Sequence, residues 1–156
     1  MLLRMKALTQ AARALTYYAA GQTDRARLGD EAAHARADLL TPLVKAYGTD
    51  IGVEVASLGV QVHGGMGFIE ETGAAQHYRD ARIAPIYEGT NGIQAADLVG
   101  RKLRMEGGAA LMRLLDDIEA ATGPHRALAE LATACREVAK ALAAMSEDQR
   151  LTASYP

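Results

Sequence analysis

Apolar residues in the first part of the chain recur at intervals of three and four positions, the spacing that lines one face of an α-helix. The residues on this stripe are Leu2, Met5, Leu8, Ala12, Leu15 and Ala19. Glycine is a weak helix former, so Gly21 predicts the end of this first helix.

A second helix is predicted to begin at Asp30, because an aspartate side chain is a good N-cap. Its apolar face consists of Leu39, Leu40, Leu43 and Val44. Pro42 has no backbone donor, which predicts a kink or a restart of the helix there. Gly48, followed by Thr49 and Asp50, predicts the next helix boundary.

The apolar run from residue 51 to residue 62 allows two interpretations. Alternating apolar residues at 51, 53 and 55 are typical of a strand, whereas the length of the run and its helical surroundings favour a helix. We therefore predict a helix. The glycines Gly64, Gly65 and Gly67 then break regular structure and leave the backbone free to adopt positive φ.

The rest of the chain also predicts helices. Thr72 and Gly73 open one that Pro85 ends, and Thr90 or Asn91 caps another that extends through Leu103. Two glycine-containing breaks then delimit helices over 109–121 and about 125–145. We predict an all-α protein, an up-and-down four-helix-type bundle with additional C-terminal helices.

Composition supports this class and excludes others. Aromatic residues make up only 4% of the chain and tryptophan is absent, while the 49% of hydrophobic residues suffices for a core. The net charge of −2 offers no field that attracts nucleic acid or an anionic membrane. No window approaches the roughly 20 apolar residues of a membrane span, and Cys135 is the only cysteine. We expect a cytoplasmic protein without a membrane span.

The segment from Gln61 to Gln94 carries the candidate chemistry, since a glycine-rich turn is followed by an amphipathic helix and a second turn with a carboxylate. The glycines do not match the G-x-G-x-x-G dinucleotide spacing or a P-loop. Taken alone, they are equally well interpreted as a tight corner between helices. The order of residues is more specific: Gln61, Gly64, Gly65, Gly67, Phe68, Arg79, Asp80, Tyr87, Glu88, Gly89 and Thr90.

This order resembles the acyl-CoA dehydrogenase family, in which a Gln-x-x-Gly-Gly-x-Gly-[Phe/Tyr] loop precedes Arg-Asp and then Tyr-Glu-Gly-Thr. The resemblance implies that residues 1–104 are the C-terminal helical domain of such an enzyme. Residues 105–156 then resemble the start of the helical tail of longer family members. The implied reaction oxidises an acyl-CoA thioester to the 2,3-enoyl-CoA.

The resemblance also implies roles for individual residues. Glu88 matches the catalytic base that removes the α-proton, and Tyr87 and Gly89 match substrate contacts, the backbone amide at the base position facing the thioester oxygen. A carboxylate enclosed by apolar groups has a raised pKa and is a better base, so we expect Ile86 and Tyr87 to form part of a dry wall.

The implied cofactor is FAD, which receives hydride from the β-carbon. Thr90 and Gly92 match positions that contact it, at a helix N-terminus that suits a pyrophosphate. The matching contacts in the glycine-rich loop are Gln61, Val62, His63, Gly64 and Gly65. They touch an FAD held mainly by a partner subunit, which implies a homodimer or homotetramer. The implied electron acceptor is electron-transferring flavoprotein.

Other kinds of site have weaker signals. Glu31 and His34 form one E-x-x-H element, but a di-iron site needs a second one, and we predict no metal. The adjacent Glu70 and Glu71 are expected to face water rather than to form a catalytic pair. No nucleophile motif supports hydrolase chemistry.

Nothing in the chain resembles the N-terminal helical and middle β domains of this family. We therefore expect a part of a longer enzyme that is inactive by itself. The alternative is a non-catalytic helical module for oligomerisation or interaction. FAD uptake and the effect of replacing Glu88 distinguish the two.

Overall fold

The computed structural model describes residues 1–154, and within this range all regular structure is helical. The helices are α1 (Leu2–Arg27), α2 (Glu31–Val62), α3 (Gly65–Phe68), α4 (Ala74–Ile83), α5 (Asn91–Gly100), α6 (Ala109–Ala121), α7 (Arg126–Ala144) and α8 (Glu147–Ala153). Short 3₁₀ segments cover Glu70–Thr72 and Lys102–Gly108, and the second is interrupted by a turn in which Met105, Glu106 and Gly107 have non-helical backbone angles. The predicted all-α class is confirmed.

Helix α1 packs along α2 through the predicted stripe. Five residues of that stripe are half-buried: Met5, Leu8, Ala12, Leu15 and Ala19. Leu2 is 68% exposed and lies outside that contact. The predicted end at Gly21 is wrong: α1 continues to Arg27, and the chain turns at Gly29, where φ is +93°. A glycine inside a helix costs only about 1 kcal/mol, which packing against α2 offsets.

Helix α2 begins as predicted, because the Asp30 carboxylate accepts a hydrogen bond of 2.9 Å from the Ala33 amide. That amide and the Arg25 guanidinium hold the pKa of Asp30 below its usual value. The helix then runs without a break through Pro42 and through residues 48–50. The helix boundary predicted at residues 48–50 is therefore wrong. Tertiary contacts with five other helices outweigh these local helix-breaking residues.

The core lies around the middle of α2, which packs against α1, α4, α5 and α6. Leu39, Leu40 and Leu114 form its centre, and half-buried leucines from α1, α5 and α6 surround them. Lys102 is 2% exposed and forms an ion pair of 2.7 Å with Asp38, which fastens the second 3₁₀ segment to α2.

The later helices follow the predicted order with shifted ends. The helix predicted to extend through Leu103 ends at Gly100, and the chain continues as a 3₁₀ segment. Helices α6 and α7 confirm the two predicted C-terminal helices, and they pack on each other. Helix α8 was not predicted, and its Leu151 lies against Gly100 of α5. None of the described helices is long and apolar enough to cross a membrane.

Candidate functional site

The loop between α4 and α5 carries the candidate base. The amides of Ile86 and Tyr87 donate to the Ile83 carbonyl at 2.9 and 3.1 Å, which closes a turn at the end of α4. Two left-handed residues follow, Glu88 with φ +54° and Gly89 with φ +86°. A non-glycine residue adopts this conformation only where the surrounding structure imposes it.

The Glu88 side chain is exposed and has no hydrogen-bond or ion-pair partner within residues 1–154. Its backbone N–H also has no acceptor in this part of the chain. The expected dry wall is absent from these residues, because Ile86 is 48% and Tyr87 51% exposed. The loop therefore presents a carboxylate, an amide and two apolar side chains to its surroundings.

Helix α5 begins directly after this loop. The Thr90 hydroxyl accepts a hydrogen bond of 3.2 Å from the Ile93 amide, which confirms Thr90 as the N-cap. A cleft of about 560 Å³ opens beside this helix N-terminus. It is lined by Asp50, Val53, Arg82, Pro85, Ile86, Thr90, Asn91 and Gly92. Of the first-turn amides of α5, that of Gly92 has no acceptor within residues 1–154, and together with the Arg82 guanidinium it suits an anionic group beside the Asp50 carboxylate.

A buried polar network connects this loop to α2. The Asn91 side chain is 3% exposed, and its amide nitrogen donates to Asp50 Oδ1 at 2.8 Å, Thr49 Oγ1 at 3.1 Å and the Ala46 carbonyl at 3.3 Å. Its amide oxygen accepts from Lys45 Nζ at 3.2 Å. Sequence reasoning missed this network because it interpreted residues 48–50 as a helix boundary rather than as one face of a continuous helix.

The glycine-rich corner lies between α2 and α4. Gly64 has φ +60° and ψ −142°, a conformation open to glycine alone. A Cβ atom at Gly67 would lie 2.1 Å from the Val60 carbonyl oxygen, so only glycine fits there. Gly65 has negative φ and open space around its Cα. The fold explains two of the three glycines, and the third has no structural reason within residues 1–154.

The other predicted FAD contacts at this corner are on its outer surface. Gln61, Val62 and His63 are exposed, and His63 Nδ1 lies 2.8 Å from the Gly59 carbonyl oxygen. His63 lines a groove between α1, α2 and α4 of about 590 Å³, which does not include Thr90 or Gly92. The two sets of predicted cofactor contacts therefore belong to different surfaces of this chain.

Several other charged residues form ordinary ion pairs, whereas the exposed Glu71 has no partner within residues 1–154. Both oxygens of Glu70 accept from Arg79, at 2.8 and 2.6 Å, on the protein surface. Arg101 pairs with Asp97 at 2.7 Å, which lowers the pKa of that aspartate. No three His, Cys, Asp or Glu side chains lie together as a metal site in the described part of the chain.

Comparison with known proteins identifies this helical domain. Residues 1–103 match the family model of the acyl-CoA dehydrogenase C-terminal domain. The chain is 53% identical to the 3-methylmercaptopropionyl-CoA dehydrogenase of Ruegeria pomeroyi, over 92% of this chain and 24% of the relative. It is 37% identical to a butyryl-CoA dehydrogenase of Syntrophomonas wolfei, over 76% of this chain and 20% of the relative.

A third relative is a subunit of a larger assembly. The caffeyl-CoA reductase-Etf complex subunit CarC of Acetobacterium woodii is 33% identical over 67% of this chain and 25% of its own length. The chain belongs to the acyl-CoA dehydrogenase family and corresponds to its C-terminal part. It spans about a quarter of the length of these relatives.

Proposed function

We propose that the complete enzyme carrying this chain oxidises an acyl-CoA thioester to the 2,3-enoyl-CoA, with Glu88 as the base that removes the α-proton. The observation that carries this proposal is a carboxylate without any partner in residues 1–154, held on a left-handed backbone in the loop between two helices. A structural glutamate in such a turn gains stability from a cation, as Glu106 does from Arg113. Glu88 has no such cation among residues 1–154.

The loop offers the groups that this reaction needs from a protein. A carboxylate oxygen of Glu88 takes the proton, and the free Glu88 N–H is available to the thioester carbonyl oxygen. Such a donor stabilises negative charge as it develops, an effect worth about 3 kcal/mol in other enzymes. Tyr87 and Gly89 flank the base and are proposed to contact the substrate. The apolar faces of Ile86 and Tyr87 then exclude water once substrate and the rest of the enzyme cover them.

FAD is the proposed cofactor and supplies, when bound, the acceptor for the β-hydride. At the α5 N-terminus, the Gly92 amide and the Arg82 guanidinium would hold an anionic part of the cofactor, next to Thr90 and on the side of the cleft away from the Asp50 carboxylate that Asn91 engages. The exposed corner formed by Gln61, Val62, His63, Gly64 and Gly65 is proposed to contact FAD of a second subunit. The contact with a second subunit is proposed because none of these five residues lines the α5 cleft, and the groove that His63 lines does not include Thr90 or Gly92. We accordingly propose a homodimer or homotetramer.

The names of the relatives suggest where to look for substrate and acceptor. Two are named for 3-methylmercaptopropionyl-CoA and butyryl-CoA, so short acyl-CoA thioesters are the first substrates to test. One is named as part of a complex with Etf, which supports electron-transferring flavoprotein as the acceptor. We retain the cytoplasm as the proposed location.

We further propose that residues 1–104 form the catalytic helical domain and that residues 105–156 begin a helical tail. The isolated chain is expected to be inactive. Its Glu88 is exposed to water, and a base without a dry, closed surrounding loses much of its effect.

The decisive experiment replaces Glu88 by glutamine in the complete enzyme. We expect Glu88→Gln to bind FAD normally, to lose acyl-CoA-dependent dye reduction by about 10³-fold, and to stop exchange of the substrate α-proton with D₂O. Glu71→Gln, in the exposed 3₁₀ segment before α4, is the matched control and should retain both activities. A Glu88→Gln enzyme that still exchanges the α-proton rules out Glu88 as the base. A protein that binds no FAD but forms a stable oligomer would favour the non-catalytic module.

A further inference from the structure

The loop that carries Glu88 is fastened to α2 at both of its ends. At its beginning, Lys45 Nζ donates a hydrogen bond of 3.0 Å to the Ala84 carbonyl. At its end, the Lys45 ammonium donates to the side-chain oxygen of Asn91 at 3.2 Å. The backbone N–H of Asn91 donates to the Pro85 carbonyl at 3.1 Å. One lysine on α2 therefore ties together the residues that enter and leave the loop.

Asn91 is the centre of this attachment. Its side chain is almost fully buried and contacts three further groups of α2 within a span of five residues, Ala46 to Asp50. A buried amide is costly unless its donors and acceptor are satisfied, so these contacts fix one position of the side chain. Because Asn91 is the first residue of α5, the loop immediately before it is fixed as well.

This arrangement is more specific than packing of α5 requires. Apolar contacts of Leu98 and Val99 already hold α5 to the core, and they tolerate small sliding movements. The polar network instead binds backbone carbonyls, those of Ala84 and Ala46. The bond from Lys45 to the Ala84 carbonyl restrains the loop backbone, and the bond from Asn91 to the Ala46 carbonyl restrains the start of α5 against α2.

We infer that Asn91, oriented by Lys45 and Thr49, is a positioning residue that holds the Glu88 carboxylate in place for proton abstraction. The inference rests on the proposed role of Glu88 as the base. Misplacement of a reacting group by about 1 Å can reduce a rate about 100-fold. A loop with two consecutive left-handed residues and no ion pair of its own depends on external attachment to avoid such misplacement.

The test compares variants of the complete enzyme. Asn91→Ala is expected to lower kcat for acyl-CoA-dependent dye reduction by about 10- to 100-fold, with FAD content unchanged and KM within about threefold. Thr49→Ala removes only one hydroxyl of the network and is expected to lower kcat by about threefold to tenfold. Thr41→Ala is the matched control, because Thr41 lies on the same helix and its hydroxyl bonds only the Ala37 carbonyl, at 2.9 Å. It should retain the parent kcat.

Amide hydrogen exchange distinguishes positioning from general stability. In Asn91→Ala, the amides of Ile86, Tyr87 and residue 91 should exchange faster, while those of α1 and α6 remain as in the parent. If exchange in the loop rises and kcat does not fall, the inference is wrong. Should Asn91→Ala fail to fold, Thr49→Ala with normal kcat and a loosened loop would overturn it equally.

The Glu88→Gln variant distinguishes a failure of this inference from a failure of the proposed function. If Glu88→Gln abolishes α-proton exchange and Asn91→Ala is fully active, only the positioning role is wrong. If Glu88→Gln retains the exchange, the assignment of the base fails, and with it the positioning role.

Discussion

Two turns of this molecule share an unusual backbone but differ in everything around it. Glu88 before α5 and Glu106 before α6 are the non-glycine residues with positive φ in the described chain, at +54° and +52°. Each is followed by a left-handed glycine and then, within a few residues, by a helix. The local sequence signal, a glutamate before glycine at a helix entrance, is nearly the same.

The surroundings of the two glutamates are opposite. Glu106 forms an ion pair with Arg113 of the helix that follows it, at the protein surface. Glu88 has no ion pair in residues 1–154, and its loop is instead held through buried contacts of Lys45 and Asn91. A left-handed turn neutralised by its own helix is sufficient for structure. In the second turn, buried contacts hold the loop while the carboxylate has no ion pair within residues 1–154, and the proposed role of Glu88 as the base depends on this arrangement.

The largest effect expected from this difference is on catalysis. Glu88→Asp shortens the side chain by one methylene and retracts the carboxylate by about 1 Å, so we expect kcat of the complete enzyme to fall by about 100-fold. Glu106→Asp is the matched change and should leave kcat within about twofold. Steady-state dye reduction with a short acyl-CoA measures both. Equal losses in the two variants would remove the functional distinction between the turns.

A smaller effect is expected on stability. Lys45→Met leaves the Ala84 carbonyl without its lysine donor and removes one of the two donors to Asn91 Oδ1, the other being the Thr49 hydroxyl, which should reduce the free energy of unfolding by about 2 kcal/mol. Arg113→Met breaks an exposed ion pair and should cost under about 1 kcal/mol. Urea unfolding of the 156-residue chain compares the two variants directly. A larger loss in Arg113→Met contradicts the buried attachment of the Glu88 loop.

The smallest effect concerns the backbone itself. Glycine adopts positive φ without steric cost, so Glu88→Gly should raise the free energy of unfolding by about 0.5–1 kcal/mol while it removes catalysis. Glu106→Gly should show a smaller gain, because the ion pair with Arg113 is lost at the same time. Thermal unfolding of the two variants tests this order. Destabilisation by Glu88→Gly means that the left-handed residue is not strained.

Much of the fold follows from local sequence patterns. The stripe from Met5 to Ala19, the Asp30 and Thr90 caps and the two C-terminal helices were all predicted, because each depends on spacing or on a capping side chain. The predicted interruptions at Gly21 and at residues 48–50 were wrong. Weak helix formers end a helix only if packing does not hold it together, and packing is invisible in a local pattern.

For the candidate site, too, some features could be predicted from the sequence and others became visible only in the structure. The order of residues from Gln61 to Thr90 was sufficient to recognise the family, because this combination of residue types at these spacings is specific. The roles of individual residues stay predictions. The structural reason for Gly67 became visible only from the carbonyl of Val60, which the fold places 2.1 Å from where a side chain would begin.

The sequence by itself determined the all-α class, the Asp30 and Thr90 caps and the family resemblance, since the class and the caps depend on neighbours within a few positions along the chain. Tertiary structure alone decided that α2 is continuous, that Asn91 is buried against it, and that Glu106 is neutralised while Glu88 is not. Ion pairing and desolvation depend on which groups are close in space, and the folded chain brings residues 45 and 91 together across 46 positions of sequence.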